Sequence, residues 1–173
     1  LGTLARWLGT ERVVRAMPNT PALVGQGMTG LYTPAATPDA DRELAESALR
    51  STGQLLWVDD EALIDSVTAV SGSGPAYVFF FIEALEQAGV EMGLTAEQAH
   101  QLAVGTFTGA SALAAASNDT PAVLRQRVTS KGGTTFAAIS SMEADRVKDS
   151  IVRALHAARL RAQELEQEFG RAD

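Results

Sequence analysis

The residues best suited to chemistry lie between Val128 and Thr135, VTSKGGTT, where Ser130, Thr134 and Thr135 flank two adjacent glycines. Backbone N–H groups at the start of a helix have no intrahelical acceptor, so hydroxyls beside such a start form a cradle for a carboxylate or phosphate. Lys131 would add positive charge. A plain connection accounts for the same residues. A helix over 120–129 must stop, Gly132 and Gly133 supply the freedom to turn, and Thr134 caps the next helix. Residue types alone leave both readings open.

Two other glycine-rich stretches invite a functional reading. Gly25-Gln26-Gly27-Met28-Thr29-Gly30 fits G-x-G-x-x-G to the letter, but a dinucleotide fingerprint needs a strand before it and a helix after it. Here the glycines follow a Pro-bounded turn and run into strand-like residues. Ser71-Gly72-Ser73-Gly74-Pro75 reads first as a tight turn between two helices, with Pro75 fixing the second start. The alternative is a place where small residues let another backbone or a cofactor come close.

The ionisable residues offer less. His100 and His156 sit inside expected helices without a partner at metal-ligand spacing, so packing at a surface or interface suits them better. Asp59, Asp60 and Glu61 cluster at a helix start, where the macrodipole favours acids. The Glu and Arg residues of the last helix read as a solvated face with i,i+4 pairs. No Ser-His-Asp arrangement is legible.

These residues must be positioned by elements that the pattern outlines. Leu1, Leu4, Ala5 and Leu8 follow helical spacing to a stop at Gly9, so the chain reads as one entered within a helix, with a segment expected before it. Strands are expected at 12–17, 28–32 and 54–58, with a helix at 39–50 carrying Leu44, Ala45, Ala48 and Leu49 on one face. After Asp60 the texture becomes helical. Helices are expected over 61–70, from Pro75 to near Gly93, from a Thr95/Gln98 capping box to near Ser117, over 120–129, and over 145–169 with a stop at Gly170. AYVFFFIEAL and AVGTFTGASALAAA are apolar almost all round, which predicts burial on more than one side, against a second copy of the chain or, as the plainer alternative, at the centre of a compact monomer.

The 173 residues, 46% hydrophobic and 20% charged, suffice for a sizeable core. The absence of cysteine removes thiol chemistry and fits a reducing compartment, with cytoplasm the expectation. A net charge of -7 argues against a nucleic-acid or anionic-membrane surface while leaving room for a small anion at a local site. No apolar run approaches the ~20 residues of a membrane helix.

Three stretches taken together carry a resemblance: RAMPNTP (Arg15 to Pro21), VTAVSGSGPAY (Val67 to Tyr77) and VTSKGGTT (Val128 to Thr135). In order and spacing the chain resembles the pyrroline-5-carboxylate reductases, which catalyse the last step of proline biosynthesis. The resemblance implies a mainly α chain. Residues 61–173 would form an all-helical substrate-binding and dimerisation domain of the 6-phosphogluconate-dehydrogenase C-terminal type. Residues 1–60 would be the α/β tail end of a Rossmann domain. It also implies reduction of 1-pyrroline-5-carboxylate to L-proline with NADPH, or NADH in its place, without a metal, in a homodimer that often assembles further into decamers.

Residue by residue, the resemblance sets Ala16, Met17 and Asn19 beside the nicotinamide. Ser130, Gly133, Thr134 and Thr135 match the loop that holds the substrate carboxylate through hydroxyls and backbone N–H groups. Thr135 is similar to the catalytic threonine that hydrogen-bonds the ring nitrogen. Lys131 stands where many relatives carry proline. Because the family's glycine fingerprint is not found in these residues, the chain alone is expected to dimerise but to be nearly inactive, and its strands to be mobile or to pair with another copy. The rivals are a non-catalytic helical dimerisation module and a related dehydrogenase acting on another small acid.

Overall fold

The computed structural model describes residues 1–170. The described residues are mainly helical with one three-stranded sheet, and they divide into two compact units, 1–76 with 153–170 and 77–152. The change of texture at Asp60 is a division along the sequence, whereas this one is a division in space.

In the first unit, α1 (Gly2–Leu8) ends at Gly9, whose φ of 65° makes a left-handed cap. β1 (Arg15–Met17) pairs antiparallel with β2 (Gly27–Tyr32), which pairs parallel with β3 (Gly53–Trp57). The registers Met17 with Gly30 and Leu31 with Trp57 alternate side chains across the sheet, so that Thr29 and Leu31 are fully buried. Gly53 has φ 139°, and a Cβ there would meet the Gly27 carbonyl oxygen at 2.1 Å. Gly27 of GQGMTG therefore serves strand contact, Gly25 makes a left-handed turn at φ 70°, and a strand, not a helix, follows them.

α2 (Asp39–Leu49) is tied to β3 by Trp57, whose indole N–H donates to Glu46 at 2.7 Å while Arg42 lies 5.1 Å from the ring centroid. Its Leu44 remains 68% exposed, so the expected apolar face is largely uncovered in this chain. α3 (Leu63–Val67) buries Ile64 and Asp65 and is shorter than the helix expected over 61–70. Residues Thr68–Gly72 continue it as a π-helical turn, and α4 (Gly74–Glu91) begins two residues later. The expected helix–helix turn at SGSGP is therefore a widened helical turn.

In the second unit, α4 and α5 (Ala96–Ala116) close on each other through small residues. A Cβ at buried Gly89 would stand 2.9 Å from that of Ala99, which is itself buried with Ala103. The capping box forms in full, with Thr95 Oγ1 accepting from Gln98 N and Gln98 Oε1 from Thr95 N. α6 (Pro121–Arg127) follows its Thr120 cap, and α7 (Thr134–Ala144) is a helix of its own. α8 is Val147–Gly170, not 145–169, because Arg146 takes the left-handed conformation at φ 53° and separates it from α7. Gly170 lies within α8 and does not stop it among the described residues; 171–173 fall outside them. From Arg153 onward α8 belongs to the first unit; there, among the described residues, Arg161 bridges Glu164 and Glu168 at i,i+3 and i,i+7 spacing, and Glu166 accepts from Arg15 of β1 at 2.8 Å.

Candidate functional site

Glycine and serine build the loop before α7. Thr129 Oγ1 donates to the Arg125 carbonyl at 2.7 Å and closes α6. Gly132 then turns the chain at φ 76°, and the Gly133 amide donates to the Ser130 carbonyl at 3.0 Å. The helix cap is Gly133 rather than the expected Thr134, and no side chain caps α7. The consequence is chemical. The first acceptor bond of α7 is Ala137 N to Gly133 O, so the amides of Thr134, Thr135 and Phe136 have no carbonyl to receive them. A capping hydroxyl would have consumed one of these donors.

Ser130, Gly133, Thr134 and Thr135 are thus brought together around open N–H groups at the positive end of an eleven-residue helix. Thr135 and Gly133 are half-buried, and Ser130, Lys131 and Thr134 are exposed. Ser130 Oγ is held close, because a Cβ on Gly133 would stand 2.7 Å from it. Across the loop Arg125 of α6 reaches Glu143 of α7 at 3.1 Å. A hollow of about 450 Å³ between these helices is lined by Val123, Gln126, Thr129, Lys131, Phe136 and Ile139.

The second group lies in the first unit. Ala16 is exposed at the centre of β1, Met17 ends the strand half-buried, and Asn19 follows in extended conformation. Asn19 does not present its carboxamide outward. Its Oδ1 accepts from Met28 N at 2.9 Å, and its Nδ2 donates to both the carbonyl and the hydroxyl of Ser71 at 3.2 Å. Met17 crosses the π turn, its sulfur 3.5 Å from where a Gly72 Cβ would stand, and a Cβ on Gly74 would meet nothing within 4 Å. Ser71 and Gly72 belong to this group, although sequence spacing alone favours a turn there. The signal that finds them is the proline four residues after Ser71.

This wall, a thioether beside bare glycine backbone, suits the flat face of a nicotinamide ring. No described strand–glycine–helix turn would cradle its pyrophosphate. The residues fit one end of a dinucleotide. His100 Nδ1 lies 2.6 Å from Glu86, His156 is exposed, and among the described residues no three His, Asp or Glu side chains form a metal cluster. No helix of the described residues is long and apolar enough to cross a membrane.

Burial marks one further carboxylate. Asp65 is 4% exposed beside a cavity of about 370 Å³ that Arg15, Met17, Thr68 and Glu166 also line. Its burial, and then the nearby Glu166 charge, push the carboxyl above the usual range, more than Arg15 and Arg159 draw it down.

Residues 61–165 match the family model described as pyrroline-5-carboxylate reductase dimerisation. The chain is 49% identical over 169 residues to the pyrroline-5-carboxylate reductase of Pseudomonas aeruginosa, covering 97% of this chain and 62% of the relative. It is 39% identical to that of Pisum sativum, covering 95% and 60%. The fold superposes on a solved pyrroline-5-carboxylate reductase from Coxiella burnetii with a TM-score of 0.89 at 43% identity, covering 95% of this chain and 61% of that one. It also superposes on the Plasmodium falciparum pyrroline carboxylate reductase with NADP bound, at TM-score 0.86 and 32% identity, covering 95% and 66%. The chain therefore spans about three fifths of the length of these relatives.

Proposed function

The chain belongs to the pyrroline-5-carboxylate reductases, and on that premise we propose that it supplies the substrate-binding and protomer-joining part of an enzyme that reduces 1-pyrroline-5-carboxylate to L-proline. The observation that carries this reading is the start of α7. Three free amides open the helix where no side chain caps it, and Ser130, Thr134 and Thr135 adjoin them in the chain.

Ser130 and the amides after Gly133 hold the substrate carboxylate, and the helix end lowers the energy of its charge. Thr135, in the first turn and half-buried, orients its hydroxyl toward the ring nitrogen and carries the proton there. Orientation of the bound imine supplies much of the catalysis. Met17 and the backbone of Ala16 and Gly72 form the wall for the nicotinamide, which supplies the hydride when bound. Asn19 acts behind that wall, since its carboxamide is committed to protein partners. NADPH is the proposed cofactor, with NADH the alternative, and no metal takes part.

The second unit leaves Phe79, Phe80, Leu102 and Leu113 between 57% and 69% exposed. Apolar helix faces of this extent suit a second copy of the chain, so the working unit is a homodimer, with five dimers closing into a decamer. The domain line falls at Glu61, with residues before it belonging to the cofactor domain. Cytoplasm is the proposed location. Neither a purely structural module nor a dehydrogenase of another small acid accounts as well for the free donors before α7 together with the family match.

The test is proline oxidation with NADP at alkaline pH, on this chain and on the chain extended upstream to its relatives' length. Turnover is expected in the extended form and not in this chain. Silence in both would overturn the reading.

A further inference from the structure

The motifs around Asn19 and Pro75 meet at one atom, the carbonyl oxygen of Ser71. In a continuous α-helix that oxygen would accept from the amide of residue 75, but Pro75 has no N–H. In the π register it would accept from residue 76, but the Ala76 amide donates to Ser73 instead, at 3.0 Å. Both helical donors are missing. Ser71 is half-buried, and a carbonyl left unpaired there would cost stability.

Asn19, fifty-two residues earlier in the chain, fills the gap. Its Nδ2 lies 3.2 Å from the Ser71 oxygen and 3.2 Å from the Ser71 hydroxyl, while its Oδ1 is fixed by the Met28 amide at 2.9 Å. The π turn is closed beside it by Ser73 N to Thr68 O at 2.8 Å, and Thr68 Oγ1 donates back to Ile64 at 2.8 Å.

We infer that Asn19 is a positioning residue which replaces the backbone donor removed by Pro75, and so locks the π turn Thr68–Gly72 against the Met17 turn. The clamp sets how closely Gly72 approaches the Met17 thioether. It acts on the cofactor through the shape of that wall, without touching it. This rests on reading the wall as the nicotinamide's, as proposed above.

The pairing of an amide side chain with a proline gives a specific test. Asn19→Asp keeps the acceptor for Met28 N and loses the donor to Ser71. Pro75→Ala returns a backbone N–H to that same carbonyl. In urea unfolding of this chain, Asn19→Asp is expected to destabilise strongly with Pro75 in place and much less in the Pro75→Ala background, a coupling that a double-mutant cycle isolates. In the extended chain, Asn19→Asp is expected to lower kcat/KM for NADP by about tenfold to a hundredfold, with KM for proline within about twofold, and Pro75→Ala to recover part of the loss.

Additive unfolding costs would overturn the clamp whatever the activity. Equal losses toward NADP and proline would overturn its action on the cofactor wall. Should the double variant fail to fold, faster amide exchange at Ser73 in Asn19→Asp alone is the expected result, and unchanged exchange overturns the inference. Failure of the unsubstituted extended chain to oxidise proline would remove the proposed function and leave the unfolding cycle standing.

Discussion

Gly30 of β2 lies directly against Val67 of α3, so close that a Cβ on Gly30 would stand 2.6 Å from one Val67 methyl and 3.0 Å from the other. The sheet thereby fixes the height of α3, and the π turn that follows Val67 inherits it. Gly30→Ala is expected to destabilise the chain by about 1–3 kcal/mol through overpacking. Adding Val67→Ala should recover part of that loss. Urea unfolding of the two variants checks both, and an unchanged midpoint for Gly30→Ala would deny the contact.

Gly133→Ala separates binding from folding. The new Cβ would fall 2.7 Å from Ser130 Oγ, which can swing away, and 3.2 Å from the Ser130 carbonyl. The fold should survive while the hydroxyl leaves the cradle. In the extended chain KM for proline is expected to rise about tenfold or more, as for loss of a hydrogen bond to a charged group, with KM for NADP little changed. Steady-state kinetics decide it.

The pH dependence follows from Asp65. Its carboxyl is pushed up by burial and then by Glu166, against the pull of Arg15 and Arg159. An acid whose folded pKa is raised costs stability when ionised, and that cost disappears as pH falls through the folded value. Asp65→Asn should therefore raise Tm at pH 7, and the gain should shrink toward zero below the ordinary carboxylate range. Thermal unfolding from pH 7 to pH 3 measures the slope, and a gain that grows on acidification would reverse the assignment.

Phe80 tests the second copy. It is 69% exposed at the start of the long apolar helix α4 and meets Phe81 edge-on, with centroids 6.3 Å apart. As an exposed residue of a monomer it should tolerate Phe80→Glu within about 0.5 kcal/mol. As part of a dimer interface it should weaken association by about 2 kcal/mol or more. Sedimentation is expected to show the variant dissociating at concentrations where the parent chain is dimeric.

Local codes made much of the fold legible. Thr95 with Gln98, Thr120 with Pro121, and Gly9 after an apolar helix each act within a few residues of the end they mark, and each marks it in the structure. The strands were readable because β-branched and apolar runs stop at Pro and Gly, and the free donors before α7 because hydroxyls and glycines adjoin there. What the sequence determined by itself was the set of elements and the chemistry carried at their ends. Tertiary structure alone decided that Asn19 reaches the Ser71 carbonyl beside the π turn and that Glu166 meets Arg15 across 151 residues. The physical reason is range: a cap or a turn is settled by neighbours in the chain, whereas an orphaned carbonyl is satisfied by whichever donor the fold delivers.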